Sequence, residues 1–389
     1  MYVYNNNHQI YRLDGKSIDL VSNGTDGVLF LGNPAHEKFT YRENVTGVFA
    51  ELIIQPINFT AGDRVNLDSE EQIAIFQIWV FTLFFESLQP TKPIQFFFGE
   101  KGSGKTTSQQ ILGQWLFGSS FDVITIQADK EDSFVTAITN NYFVAFDNLD
   151  SPVKWMQDRL AQVATGQKIQ MRQLYTTNTE VVYFPKCFVS LAAREPKFKR
   201  DDVVDRLLLF RVNRIEDGDF IRLGILRDQV LSRRDDLWSE MLDQLNLIVT
   251  GFRQVPDRSV GVFRMADFAD LGWKIAKIIG GDKGAEIFIE LLGKMKQDQS
   301  DFLIEGNLVV ELIDLWLDDD DNFGREVKTS VLYSELKEVA ESNKITLGFR
   351  SVSGFGMHLR QILDDLRRHY GIEERKIKRV WNYTFRVHR

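Results

Sequence analysis

Several things are scarce in this sequence, and each scarcity excludes something. A single cysteine, Cys187, stands among 389 residues, which rules out an internal disulfide framework and a cysteine-rich zinc site and suits a reducing compartment. The five histidines are scattered too widely to suggest a metal cluster. Excess positive charge is missing as well. With 47 Lys and Arg against 55 Asp and Glu the formal charge is −8, a poor match for a small basic domain that grips duplex DNA by charge alone. Any nucleic-acid contact must therefore be local. No apolar run reaches the roughly 18 residues that span a bilayer; the most apolar window, residues 73–85, contains Gln77 and reads as a buried helix. The opening MYVYNNNHQIYRL has neither the basic start nor the apolar core of an export signal. No repeat or low-complexity tract is visible, and no membrane partner is expected.

What is present is globular. Hydrophobic residues at 43% and charged residues at 26% are ordinary for folded proteins, and at about 150 residues per domain the length predicts two or three domains. Residues 1–65 alternate apolar and polar positions between the turn signals Asp14-Gly15, Asn23-Gly24 and Asp26-Gly27, which predicts short antiparallel strands. From about Ser69 the pattern runs helix, strand (94–98), glycine-rich loop, helix (105–116), strand (123–127), helix and strand (142–146). Such alternation predicts a parallel α/β sheet. A helix over 153–164 precedes two strands within 168–184, turning at Thr176-Thr177-Asn178-Thr179, and then come apolar strands at 187–191 and 207–212.

Residues 220–315 carry helical spacing of Leu, Ile, Trp and Phe. The acidic run 318–321 lacks the spaced ligands of an EF-hand and reads as a solvated boundary. Beyond it, amphipathic helices at 330–342 and 356–369 and a strand-like stretch at 376–387 suggest a winged-helix module. The expected division is a small β-rich region (1–68), a nucleotide-binding α/β core (69–216), a helical domain (217–322) and the winged helix (323–389).

The strongest motif is Gly99-Glu100-Lys101-Gly102-Ser103-Gly104-Lys105-Thr106, which fits the phosphate-loop pattern G-x-x-x-x-G-K-[ST] in full. An apolar strand leads in and a helix leads out. Gly99, Gly102 and Gly104 let the backbone curl so that successive N–H groups, with those of Ser103 and Thr107, point at phosphate oxygens. Lys105 neutralises β/γ charge and the Thr106 hydroxyl ligates Mg²⁺, so ATP and Mg²⁺ are the expected cofactors. Such a site also needs a carboxylate at a strand end to hold the metal, and Asp147, closing Phe143-Val144-Ala145-Phe146, supplies it. Many such ATPases carry a glutamate at the next position, whereas here it is Asn148. That leaves the general base open between Asp150 and water orientation by Asn148.

On the following strand only Ser190 stands where a residue could sense the γ-phosphate, and with no asparagine there the sensor is weak or absent. Downstream lie Arg194, Arg200 and Arg206. In ring ATPases an arginine in this region reaches a neighbour's nucleotide; Arg206 is the first candidate and Arg200 the second, against the alternative of an ion pair with Asp202 or Asp205.

Taken together, GEKGSGKTT (99–107), FDNL (146–149), ATGQKIQMRQLYTTNTEV (164–181), REPKFKRDDVVDRLL (194–208) and FRMADFADLGWKIA (263–276) resemble the ATPase part of phage and mobile-element primase-helicases, the AAA+ branch related to superfamily 3 helicases. The resemblance covers about residues 70–285. It implies an AAA+-like P-loop core with a pre-sensor β-hairpin at 168–184, a homo-hexameric ring, and a cytoplasmic setting in a bacterial or phage-infected host. The hairpin would project into a central channel and track single-stranded DNA, with Lys168 and Arg172 on phosphates and Tyr175 stacking on a base. Relatives often carry an N-terminal primase domain. Only about 65 residues precede the core here, without a visible cluster of catalytic carboxylates, so priming activity is not assigned to this chain; a separate primase or replication protein is a candidate partner.

The tail argues independently. Residues 351–389 hold nine basic and four acidic side chains, so positive charge is concentrated there while the rest of the chain is acidic. Arg375, Lys376, Lys378 and Arg379, interleaved with Trp381, Tyr383 and Phe385, form a footprint suited to duplex DNA; the alternative is that Val380, Asn382, Thr384 and Arg386 make one solvated strand face. Two functions follow: an ATP-driven ring motor that translocates on or unwinds DNA during replication of a phage or mobile element, or a slow ATP-dependent DNA-binding switch or assembly platform.

Overall fold

The computed structural model describes all residues except 7, 61–65, 128, 150–152, 173–179, 195–197, 199, 219, 306, 346, 350, 379 and 387–389. Two compact units are formed, Met1–Asp298 and Gln299–Arg389.

The first unit opens with an antiparallel sheet of β1 (Tyr2–Tyr4), β2 (Gln9–Leu13) and β3 (Ile18–Ser22), in that order. Among the described residues, the strands of this region end at Ser22 rather than continuing toward residue 65. The reason is where the backbone finds its partners. Phe39 N donates to Asn5 Oδ1 (2.8 Å), Thr40 N to Asp235 Oδ1 (2.9 Å) and Arg42 N to Ser239 Oγ (2.9 Å). Gly47 N and Phe49 N both donate to the Glu240 carboxylate, at 2.9 and 2.8 Å. Side-chain acceptors thus replace a strand ladder. Phe39 stacks on Trp238 with ring centroids 4.2 Å apart.

Helix α1 (Ser69–Thr82) starts on an Asp68/Glu71 capping box, in which Glu71 N donates to Asp68 and Asp68 N donates back to Glu71. It buries Ile75, Phe76, Trp79 and Val80, as expected of the most apolar window. The chain then alternates: β4 (Ile94–Phe98), α2 (Lys105–Phe117), β5 (Ile124–Thr125), α3 (Glu131–Asn140), β6 (Phe143–Asp147) and α4 (Met156–Ala164). A hairpin of β7 (Ile169–Arg172) and β8 (Glu180–Tyr183) precedes β9 (Phe188–Ala193), the one-turn α5 (Asp201–Val204) and β10 (Leu207–Arg211).

The five-stranded sheet has the order β10-β4-β9-β6-β5, and every neighbouring pair is parallel. Strand β6 is therefore separated from β4 by β9. Strands β4, β9 and almost all of β6 and β10 are buried, which is why they read as continuous apolar runs. Edge strand β5 is shorter than the 123–127 expected and is exposed. Phe59, Phe76, Phe97 and Phe210 cluster at this sheet, with Phe76 and Phe210 centroids 5.6 Å apart. Helices α6 (Leu223–Ser232), α7 (Arg234–Phe252) and α8 (Ala266–Glu305) follow; α8 is broken at Gly281 (φ 64°), and its last residues belong to the second unit.

The second unit comprises α9 (Leu308–Leu317), β11 (Val327–Lys328), α10 (Thr329–Ser342), α11 (Val352–Gln361), α12 (Leu363–Tyr370), β12 (Glu373–Ile377) and β13 (Val380–Thr384). Its antiparallel sheet has the order β11-β13-β12. The single helix expected over 356–369 is two helices, parted at Ile362 (φ −104°, ψ 9°). Apolar spacing could not reveal the break, because Phe355, Leu359, Leu363, Leu366 and Tyr370 keep helical intervals through it and all face the core. The strand-like stretch expected at 376–387 takes in the end of β12 and, after a turn at Lys378 (φ 45°), the strand β13. Among the described residues no helix is long and apolar enough to cross a membrane.

Candidate nucleotide site

The buried strand β4 delivers the chain to Gly99 at φ 151°, where an added Cβ would lie 2.0 Å from the carbonyl oxygen of Val212. Only glycine fits that approach. Gly102 (φ 84°) and Gly104 (φ 79°) continue the curl, and Gly104 caps the N-terminus of α2. Inside the loop Lys105 Nζ donates to Gly99 O (2.7 Å), Glu100 O (2.8 Å) and Ser103 Oγ (2.9 Å). Its ammonium is thereby held at the centre of the curl, with the side chain largely buried.

The partner across the sheet is Asp147, the last residue of β6. Thr106 Oγ1 donates to Asp147 Oδ2 at 2.6 Å, and Asn148 N donates to Asp147 Oδ1 at 2.7 Å. Asn148 adopts the left-handed conformation (φ 62°), one that asparagine tolerates better than most residues. A cavity of about 240 Å³ is lined by residues 101–107 together with Asp147, Asn148, Ala193 and Arg194. Gly102, Ser103, Gly104, Lys105, Thr106 and Thr107 thus share one cavity with Asp147 and Asn148, while Gly99 shapes the turn behind it.

This arrangement suits an anionic phosphate chain. It offers the N–H groups of a positive-φ loop, the N-terminus of a 13-residue helix and a fixed ammonium. A hydroxyl and a carboxylate side by side make an all-oxygen donor pair of the kind Mg²⁺ takes. Asp150 lies outside the described residues.

Ser190 is not a phosphate sensor. It is fully buried and bonded to Gln95 and Gln109, because its position on β9 faces α2 and β4 rather than the strand's end. The cavity instead receives Arg194, one residue past β9, a position sequence reasoning noticed but did not assign. The available signal was its place at the carboxyl end of a core strand, where open α/β sheets bind ligands.

Arg200 and Arg206 line a different cavity of about 450 Å³, with Glu131, Asp158, Arg159 and Asp202 among its walls. Arg200 forms a two-pronged bond to Asp202 (2.8 and 2.9 Å) and also reaches Asp158. Arg206 touches Asp202 Oδ2 at 3.4 Å. The Arg200 guanidinium holds the Asp202 carboxyl below its ordinary range. Burial, with Arg264 nearby, lowers Arg206. Within one chain both arginines are thus tied to Asp202, away from the phosphate loop's cavity.

Of the candidate DNA contacts, Lys168 is exposed just before β7, and Arg172 stands opposite Glu180 in the hairpin register. Tyr175 and Arg379 lie outside the described residues. Arg375 and Lys376 are exposed on β12, as is Lys378 in the turn. Trp381 carries Arg360 and Lys376 over its ring, at 4.7 and 5.2 Å. Tyr383 and Phe385 are buried in the core of the second unit, so they are not available to nucleic acid. The solvated-face alternative fails too, since Asn382 and Thr384 are buried.

The model of the actinomycete integrative conjugative element replication protein family matches residues 63–282, more than half of the chain. The chain belongs to that family. The matched stretch nearly coincides with residues 70–285, whose motifs resemble the ATPase part of phage and mobile-element primase-helicases. Among solved structures, the replication protein is similar to the apo C-terminal region of NrS-1, with a TM-score of 0.46 and 11% identity over 99% of this chain and 84% of that one. It is also similar to SCCmec type IV Cch, described as an active helicase, with a TM-score of 0.43 and 14% identity over 98% and 78% of the two chains. For the JCV helicase the values are 0.26 and 15%, over 59% and 65%. No curated protein matches the chain.

Proposed function

We propose that this replication protein is an ATP- and Mg²⁺-dependent motor that translocates on or unwinds DNA while its element is copied. The observation that carries the reading is the 2.6 Å bond from Thr106 to Asp147. It brings the two residues that would hold Mg²⁺ together at the mouth of a complete phosphate loop. Bound there, Mg²⁺ would neutralise phosphate charge as the terminal phosphoryl group departs. Lys105 and the loop N–H groups hold the phosphates, and either Asp150 acts as the general base or Asn148 only orients the water. Arg206, or Arg200, serves the nucleotide of a neighbouring copy in a hexameric ring, which fits their distance from the chain's own loop.

In this reading the 168–184 hairpin follows single-stranded DNA through Lys168, Arg172 and Tyr175. The C-terminal region, as a winged helix, contacts duplex DNA through Arg375, Lys376, Lys378 and Arg379. The four-part division at 68, 216 and 322 describes the working regions, and the work is done in the host cytoplasm. The test is steady-state ATP hydrolysis titrated with single-stranded and then duplex DNA, with Lys105→Ala as blank. Marked stimulation by single strands supports the motor.

Asn148 after Asp147, and Ser190 turned away from the cavity, favour a second reading: a slow ATP-dependent DNA-binding switch or loader. Turnover indifferent to DNA would select it.

A further inference from the structure

Ser190 stands on β9, the strand between β4 and β6. Its hydroxyl donates to Gln95 Oε1 on β4 and accepts from Gln109 Nε2 on α2 at 2.8 Å. Gln109 Nε2 also donates to the carbonyl oxygen of Phe146 at 3.3 Å, immediately before Asp147. All three side chains are fully buried. Gln109 Oε1 and Gln95 Nε2 have no partner among the described residues. A buried polar network left partly unsatisfied costs stability that an apolar core would not, so its presence points to a task other than holding the fold.

The geometry identifies that task. Gln109 follows Thr106 by three residues on α2, so the two side chains share a face of the helix. Thr106 bonds the carboxylate of Asp147, and Gln109 bonds the carbonyl of Phe146. Helix α2 thus grips the last two residues of β6 at two points. We infer that Gln109 is a positioning residue: it fixes β6 against α2 so that the Asp147 carboxylate stays opposite the Thr106 hydroxyl, and thereby sets the affinity of the site for Mg²⁺. The inference rests on the ATP–Mg²⁺ reading above. Mg²⁺ demands near-ideal octahedral geometry at 2.0–2.1 Å, so a small slip of β6 is enough to weaken it.

The test is binding, not turnover. A fluorescent, non-hydrolysable adenine nucleotide is titrated onto the full chain in Mg²⁺ and in EDTA, and the ratio of the two affinities measures the metal's contribution. Gln109→Met keeps length and removes the amide. It is expected to cut the Mg²⁺-dependent gain about tenfold, the usual scale for an outer-shell partner, with the EDTA affinity within about twofold of wild type. In an Asp147→Asn background the same substitution is expected to add nothing, because Gln109 acts through Asp147. A wild-type Mg²⁺ gain in Gln109→Met, or an equal further loss in the Asp147→Asn background, overturns the inference. If Gln109→Met does not fold by circular dichroism, Ser190→Ala, which releases one anchor of Gln109, carries the test. It is expected to lower the gain in the same direction, and a wild-type gain there overturns the inference. A wild-type protein that binds the nucleotide but ignores Mg²⁺ overturns the reading of the site itself, and this inference with it.

Discussion

Thr106 and Asp147, 41 residues apart in sequence, meet at 2.6 Å across the mouth of the phosphate loop. A hydroxyl on the first turn of a helix and a carboxylate at the end of a strand two places away in the sheet converge on one cavity. Lys105, one residue earlier, fills the loop behind them.

Removing either charged member of this group is expected to stop hydrolysis. Lys105→Ala and Asp147→Ala should each lower kcat by at least about 10²-fold, the scale for losing one electrostatic contact to the transition state. Phosphate release assays check this, and near-normal turnover in either variant would refute the site.

Gly99→Ala is expected to destabilise the core rather than merely impair the site. The new Cβ would meet Val212 O at 2.0 Å, at a φ of 151°. Backbone strain and overpacking together predict a loss of about 2–4 kcal/mol. Urea unfolding followed by circular dichroism reads it; an unchanged midpoint would mean that the loop and residue 212 move apart freely.

The arginines tied to Asp202 are expected to act between copies. Arg206→Ala should bind nucleotide yet hydrolyse little, and mixing it with Lys105→Ala should restore part of the activity through composite interfaces. A mixture as inactive as its components would argue against Arg206 working in trans.

Cys187 is expected to be inert in the native protein. It is buried, and burial raises its thiol well above the ordinary value. A thiol-specific chromogen at pH 8 should react only after guanidinium is added. The raised folded value also sets a sign for stability. The contribution is fully present below the unfolded thiol's pKa, about 8.5, and declines as pH rises above it because only the unfolded chain ionises readily. Fast native labelling would show that the start of β9 opens.

The basic hairpin of the second unit is expected to reveal itself in salt. Changing Arg375, Lys376 and Lys378 to Gln should weaken duplex binding and reduce the slope of log affinity against log salt by about 0.9 per lost phosphate contact. An unchanged slope would remove β12 and its turn from the interface.

Much of the core was legible because its signals are local. The phosphate loop is contiguous, its glycines answer to the φ values at Gly99, Gly102 and Gly104, and strands buried on both faces announce themselves as apolar runs. The capping box at Asp68 and Glu71 marks the start of α1 in the same way. Residues 39–49 resisted such reading because several of their backbone donors meet side chains far along the chain, as with Arg42 and Ser239.

By itself, then, the sequence determined the loop, its lysine and threonine, the alternation that makes a parallel sheet, and a family resemblance over the core. Tertiary structure alone decided which way each strand residue faces and what it meets. It turned Ser190 inward to Gln109, brought Arg194 to the cavity, tied Arg200 and Arg206 to Asp202, and buried Tyr383 and Phe385. The physical reason is that side-chain orientation in a sheet depends on strand order and on packing between distant segments, and no local window of sequence contains either.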